Sequence, residues 1–218
     1  MISNAASHGR AAGARAARRP WARLLLVAGM ALALPGAKPA PAKAARHRDA
    51  VAVLSGGCYW GVESVFDHVR GVKSATSGYA WPASEQGGSQ DKAEAVRLVY
   101  DPAQISYAQI LDVFFTVVQD PTQLDRQGPD VGTEYRSVIF FQNDSQRTAA
   151  QDYVDSLSAA HVFPRPIVTR VDALKSFEPV GPDQQHFAEK NPSNPYIVAN
   201  DVPKLAALRQ RFPQLYRG

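Results

Sequence analysis

Sulfur is scarce in this chain. Its 218 residues include one cysteine, Cys58, and two methionines. A single cysteine excludes an internal disulfide. It also leaves no thiolate cluster for a zinc site, and the histidines beyond the leader (His47, His68, His161, His186) show no ligand spacing. No metal is expected from the sequence. Long hydrophobic runs are missing as well. The apolar stretch from Leu24 to Leu34 falls short of the ~20 residues that span a bilayer. Acidic charge is absent from the first 45 residues, which carry Arg10, Arg15, Arg18, Arg19, Arg23, Lys38 and Lys43. The remainder has 17 basic against 20 acidic groups, so the formal net charge of +4 belongs to the leader. A nucleic-acid partner, which needs a basic patch on the folded domain, is not expected.

What the leader has is the layout of a secretory signal. Basic residues precede the apolar stretch, and Pro35, Gly36 and an alanine-rich tract lead to Ala42-Lys43-Ala44, an A-x-A pattern. Arg18-Arg19 is similar to a twin-arginine export signal. Residues 1–44 are expected to be a signal peptide and 45–218 one domain, with the fold starting near Asp49. The protein is expected to be exported, to a periplasmic or extracellular location.

With 45% hydrophobic and 20% charged residues, the chain is globular in composition. Ala50 to Leu54 reads as a buried strand, broken by Ser55-Gly56-Gly57. Val62, Val65, Phe66 and Val69 follow the i, i+3, i+4, i+7 spacing of an amphipathic helix. Residues 74–93, rich in Ser, Gly and Gln, read as a loop. Glu94 to Tyr100 alternates as a strand, with Val96, Leu98 and Tyr100 on one face. Ser106 is placed to cap a helix through Val118. Residues 120–133 read as a long polar loop, Tyr135 to Phe141 and Ile167 to Val171 as strands, and helices are expected at 143–160 and 202–211. The irregular alternation points to an α+β two-layer domain.

Cys58 follows two glycines and opens a helix. Free N–H groups and the positive end of the helix dipole favour an anion there, and such a cysteine is expected to have a lowered pKa. The opposite reading is a buried, inert cysteine serving as a small hydrophobe, a role with no need of this position. Tyr59 and Trp60 follow and fit either the core or the walls of an apolar pocket for a thioether or methyl group.

Gly57-Cys58-Tyr59-Trp60-Gly61 resembles the G-C-F-W-G signature of the A-type methionine sulfoxide reductases. The likeness continues through Gly78-Tyr79, Ala93-Glu94-Ala95-Val96, Tyr100-Asp101-Pro102, Asp120-Pro121-Thr122 and Gln127-Gly128-Pro129-Asp130-Val131-Gly132-Thr133-Glu134-Tyr135-Arg136-Ser137. It covers residues 50–216. It implies a two-layer sandwich, a mixed sheet with flanking helices on a ferredoxin-like core, and peptide-methionine (S)-S-oxide reductase activity in the repair of oxidised proteins. By resemblance, Cys58 attacks the sulfoxide sulfur and Glu94, buried and protonated, supplies the proton. Tyr135 bonds the sulfoxide oxygen, Asp130 helps bind substrate or orients a water, and Tyr59 and Trp60 hold the methyl end. No bound cofactor is expected. With no second cysteine, the sulfenic acid left on Cys58 requires an external reductant, a thioredoxin-like protein or a small thiol. The substrate would be free or protein-bound methionine sulfoxide, and the protein a monomer.

The sequence also departs from the family. Residues 80–92 are shorter than the usual segment and lack its tyrosine, Lys92 stands where the family has His, and Asp183-Gln184-Gln185-His186-Phe187 replaces Y-H-Q-D-Y. One alternative is therefore a degenerate relative that only binds methionyl or sulfoxide side chains. Another is a different thiol enzyme such as a cysteine hydrolase, which needs a His base that no recognisable Cys/His motif supplies.

Overall fold

The computed structural model describes residues 48–83 and 91–218. The expected signal peptide lies outside the described residues, as does Ser84 to Gln90. Strand β1 (Ala50–Ser55) leads into helix α1 (Tyr59–Asp67), followed by β2 (Val72–Pro82), β3 (Ala93–Tyr100) and α2 (Tyr107–Val113), which continues as a π-helical turn, Phe114–Val118. Short strands β4 (Arg126–Gln127) and β5 (Asp130–Val131) form a separate ladder, and a 3-10 turn spans Thr133–Tyr135. Then come β6 (Val138–Phe141), α3 (Asp144–Ala159), β7 (Arg170–Pro179), α4 (Phe187–Lys190), α5 (Pro195–Asn200) and α6 (Val202–Arg211). No helix among the described residues is long and apolar enough to cross a membrane.

The main sheet closes on itself in the order β1-β3-β2-β7-β6. All its pairings are antiparallel except β6 with β7. The expected mixed sheet with flanking helices is present, but the sheet is closed, because β7 pairs with β2 on one side and β6 on the other. Each strand therefore has two unlike faces. Ala52, Leu54, Val96, Leu98 and Ile139 face the helices and join Val62, Phe66, Ile110 and Phe114 in the main core. The opposite face holds Val53, Ala80, Ala93, Ala95, Val138 and Phe140. Four of those six are bulkier or smaller by turns, with three alanines against Phe140, as a narrow closed interior requires.

The expected alternation of β3 holds, with Val96, Leu98 and Tyr100 in one cluster and Ala95 in the other. Ser106 caps α2 in a reciprocal capping box with Gln109, and Asn143 caps α3. Three expectations are corrected. Residues 74–82 are strand, not loop. Their small polar side chains carry no strong strand signal, but β3 and β7 satisfy the backbone on both edges. Gly78 suits the crowding, since a Cβ there would sit 2.4 Å from the Glu178 carbonyl oxygen. Tyr135 lies in the 3-10 turn, so β6 starts only at Val138. The strand expected at 167–171 starts at Arg170 and runs to Pro179, held by partners the local sequence does not reveal.

Phe140, 1% exposed, packs among alanines that cannot expand to fill its place. Phe140→Ala should therefore cost about 3–5 kcal/mol. In urea unfolding, the midpoint should fall by that free energy divided by the slope, with the slope itself unchanged.

Candidate active site

Two glycines shape the turn from β1 into α1. At Gly57 φ is +94°, and a Cβ would lie 2.7 Å from the Gln127 side chain. At Gly56 a Cβ would lie 2.8 Å from the Phe114 ring. Cys58 then caps α1 with extended ψ, and is 9% exposed. The third glycine of the motif, Gly61, lets another carboxylate in: a Cβ there would sit 2.1 Å from Asp201 Oδ1.

The β1–β3 register brings the acid to the thiol. Leu54 pairs with Val96, so Glu94 lies two residues further toward the point where β1 turns into Cys58. Glu94 is 8% exposed, and its Oε2 accepts the Tyr59 N–H at 3.1 Å. Burial pushes its carboxyl up to about 7, and the charges of Asp130 and Glu134 push the same way; the Tyr59 N–H and a hydrogen bond from Cys58 oppose them.

The expectation of a lowered thiol pKa is corrected. Burial, and then the neighbouring Glu94 carboxylate, hold the Cys58 thiol far above the usual thiol range, against the opposing hydrogen bond from the Trp60 N–H. The first physical reason is burial, which disfavours the thiolate, and the second is competition at the helix start. Glu94 already occupies the Tyr59 N–H, and one anion beside the sulfur disfavours a second. Cys58 and Glu94 therefore hold protons as a coupled pair.

The other expected residues gather around this pair unequally. Tyr135 is half-buried, and burial with the charges of Glu94 and Asp130 pushes its hydroxyl up to about 12, so it stays a donor. Asp130 accepts a hydrogen bond from the Tyr196 hydroxyl. Trp60 stacks on Phe187 at 3.9 Å, meets Tyr196 edge-on at 5.8 Å, and donates from Nε1 to Gln184 at 3.1 Å. Tyr59 is 6% exposed, with its ring edge-on to Tyr79 at 6.1 Å. A cavity of about 360 Å³ is lined by Cys58, Gln127, Asp130, Tyr196, Asn200 and Lys204 among others, but not by Tyr59, Trp60 or Tyr135.

Sequence reasoning missed several of these groups. Tyr196, Asn200 and Lys204 reach the site from α5 and α6, whose local sequence carries no sign of it. Asp201 is 1% exposed and pairs with Lys204 at 3.3 Å, behind the first turn of α1. Arg136, 4% exposed, donates to the carbonyls of Asp91, Lys92 and Thr133 and to the Asp91 carboxylate at 2.8 Å. It thus ties the entry to β3, which carries Glu94, to the turn that carries Tyr135. Lys92 lies 4.1 Å above the Tyr79 ring.

The family model for peptide methionine sulfoxide reductase matches residues 50–215. The peptide methionine sulfoxide reductase MsrA 2 of Mesorhizobium japonicum is 48% identical over 172 residues, covering 76% of this chain and 88% of that protein. The MsrA 2 of Synechocystis is 43% identical over 168 residues, covering 74% of this chain and 78% of that protein. Among solved structures, methionine sulfoxide reductase A of Corynebacterium diphtheriae is similar at a TM-score of 0.59 and 28% identity, covering 67% of this chain and 76% of that one. Reduced Mxr1 from Saccharomyces cerevisiae is similar at 0.58 and 28%, covering 72% and 91%. With its motifs in order and its relatives matched over most of their length, the chain belongs to the peptide methionine sulfoxide reductase family.

Proposed function

We propose that this protein reduces methionine S-sulfoxide, free or in oxidised proteins, to methionine, with Cys58 as nucleophile and an external thiol as the source of electrons. The observation that carries the reading is the buried Cys58–Glu94 pair at the start of α1, with Glu94 titrating at about 7. The catalytic unit would be a monomer built on a ferredoxin-like core. The β-α-β-β-α-β order and the antiparallel neighbours β6-β1-β3-β2 support that description, with β7 as the strand that closes it. Residues 1–44 would direct export; the basic, apolar and A-x-A segments support this.

The reaction needs one proton on the pair. Moving the thiol proton to Glu94 gives a thiolate beside a carboxylic acid. The thiolate attacks the sulfoxide sulfur, and Glu94 protonates the oxygen as the S–O bond breaks. Tyr135 donates to the same oxygen while charge develops on it. Trp60, backed by Phe187 and Tyr196, holds the methyl side, with Tyr59 packed beside it. The sulfur–sulfur bond made in the attack then breaks as the oxygen, now a hydroxyl, bonds to the Cys58 sulfur, which releases methionine and leaves a cysteine sulfenic acid. A first external thiol displaces water from that sulfenic acid and forms a mixed disulfide with Cys58. A second thiol displaces Cys58 and leaves as the disulfide of the reductant. A thioredoxin-like protein supplies both thiols from one chain. The single cysteine of this sequence calls for an external thiol, from such a protein or from a small thiol.

Single-turnover reduction, read as methionine formed per protein without added thiol, should give one equivalent and then stop. Cys58→Ser should give none, and Glu94→Gln should slow the step by about 10²–10⁴-fold. Methionine formation by Cys58→Ser at the wild-type rate would end the reading, and retained binding without turnover in the wild type would favour a binding module.

The pair also sets a pH dependence. Below about 7 it holds two protons and one must leave before attack; above about 7 it holds the one that the reaction uses. The single-turnover rate should rise toward pH 7 and level off above it. A rate that declines above pH 7 would overturn the shared-proton step.

Stability should move the other way. The Glu94 carboxyl is raised from 4.5 to about 7, so the folded state binds the extra proton in that window. Its contribution to stability is present below pH 4.5 and is lost as pH rises through about 7. Glu94→Gln should therefore gain stability over wild type as pH rises through those values, reaching roughly 1–3 kcal/mol by pH 8. Melting curves of both proteins at pH 4.5 and 8 measure it.

A further inference from the structure

On the face of α1 away from Cys58, three ionisable side chains converge without belonging to the chemistry above. Glu63 and Asp67 stand one helical turn apart on α1. His186 comes from the chain just before α4, in a left-handed conformation with φ of 53°. One ligand atom from each of the three lies within 4.8 Å of the others. Asp67 Oδ2 is 2.8 Å from His186 Nδ1. Glu63 Oε2 accepts the His186 backbone N–H at 2.7 Å.

The second Glu63 oxygen is the unexplained group. Glu63 is 1% exposed, and Oε1 is buried with no hydrogen-bond partner. The Ser77 hydroxyl influences this carboxylate, yet it too lacks a partner, so the two stand outside hydrogen-bond geometry. An unpartnered buried carboxylate oxygen is costly. Beside it lies a cavity of about 10 Å³, lined by Trp60, Glu63, Asp67, His68, His186 and Glu189 among others. That is close to the space of one water-sized sphere.

We propose that Glu63, Asp67 and His186 bind one divalent transition-metal cation, with zinc the matching probe. Two carboxylate oxygens and an imidazole nitrogen form a donor set that zinc accepts, with water in the fourth position. Zinc bonds of about 2.0–2.2 Å put ligand atoms roughly 3.3 Å apart, so side-chain shifts of about 1.5 Å close the set. The cation neutralises two carboxylates on one helix face and supplies the missing partner of Oε1. It also pins His186 to α1. The next residue, Phe187, stacks on Trp60, so an occupied site stiffens the backing of that ring. The sequence hides this cluster because His186 is 119 residues from Asp67.

Zinc titration calorimetry on the full chain tests the site, with Cys58→Ser as the background so that the thiol cannot bind the metal. One zinc per chain is expected, and at a hundredfold excess over Kd the melting temperature should rise by about 5 °C or more. His186→Asn keeps a residue that tolerates the left-handed backbone. It should weaken binding at least about tenfold, and so should Asp67→Asn. Equal melting temperatures of the metal-free proteins separate lost ligation from lost folding, and Asp67→Asn carries the test if His186→Asn folds poorly. No saturable binding below about 1 mM zinc, or binding unchanged in both variants, would overturn the proposal. Because the readout is binding in a chain without the nucleophile, its failure leaves the sulfoxide-reductase reading untouched.

Discussion

The hydrogen bond from the Tyr59 N–H to Glu94 is the contact on which the rest of the site depends. It joins the first residue of α1 to the second residue of β3 and places a carboxyl beside the one cysteine of the sequence. It forms because β1 and β3 are antiparallel neighbours in a closed sheet, with a register that ends β1 where β3 begins. A slip of one residue would turn Glu94 to the opposite face and pull it from the thiol. The alanines on that opposite face, Ala93 and Ala95 among them, help fix the register, since the closed interior beside Phe140 has no room for the larger neighbours.

Around this contact the structure spends its buried polar groups on orientation. Arg136 gathers three carbonyls and a carboxylate, and so holds the entry to β3 and the Tyr135 turn in one frame. Gln127, whose side chain abuts Gly57, donates to the Asp120 carbonyl and accepts the Asp120 N–H, which fastens the loop leading to Asp130. Asp201 rests against Gly61. Arg136 and Gln127 are satisfied mainly by backbone, so each reports the position of a loop, whereas Asp201 is held by the Lys204 side chain.

This pattern explains which parts of the site were legible in the sequence. Gly57-Cys58-Tyr59-Trp60-Gly61 could be read because a strand, a tight turn and a helix start are local features. The glycines proved to answer to contacts as well as to φ, with Gly61 making room for Asp201. The alternation of β3 exposed its two faces, and so the burial of Glu94 was within reach. By contrast β2 was hidden, since its Ser, Thr and Gly residues become strand only through pairing on both edges. Tyr196 and Lys204 enter the cavity from the C-terminal helices, and no spacing near Cys58 announces them. The thiol pKa was misjudged for a related reason. A helix start predicts stabilisation of an anion, but the thiol is buried by the fold around it, and the anion that takes the Tyr59 N–H is Glu94, which arrives from another strand.

The raised thiol pKa fits a nucleophile that works alone. An exposed, ionised cysteine with no resolving partner would react with any oxidant it met, and further oxidation of its sulfenic acid is irreversible. Burial and the Glu94 charge keep Cys58 protonated and slow toward such reagents. In the proposed reaction, the group that releases it would be a sulfoxide oxygen bonded by Tyr135, an acceptor for the proton that Glu94 would draw from the thiol. Nucleophile and acid are then generated together, at the moment the substrate is bound. The lack of a second cysteine, which in the proposed cycle makes the protein depend on an outside thiol, thus gives a reason for the thiol to be buried and neutral at rest.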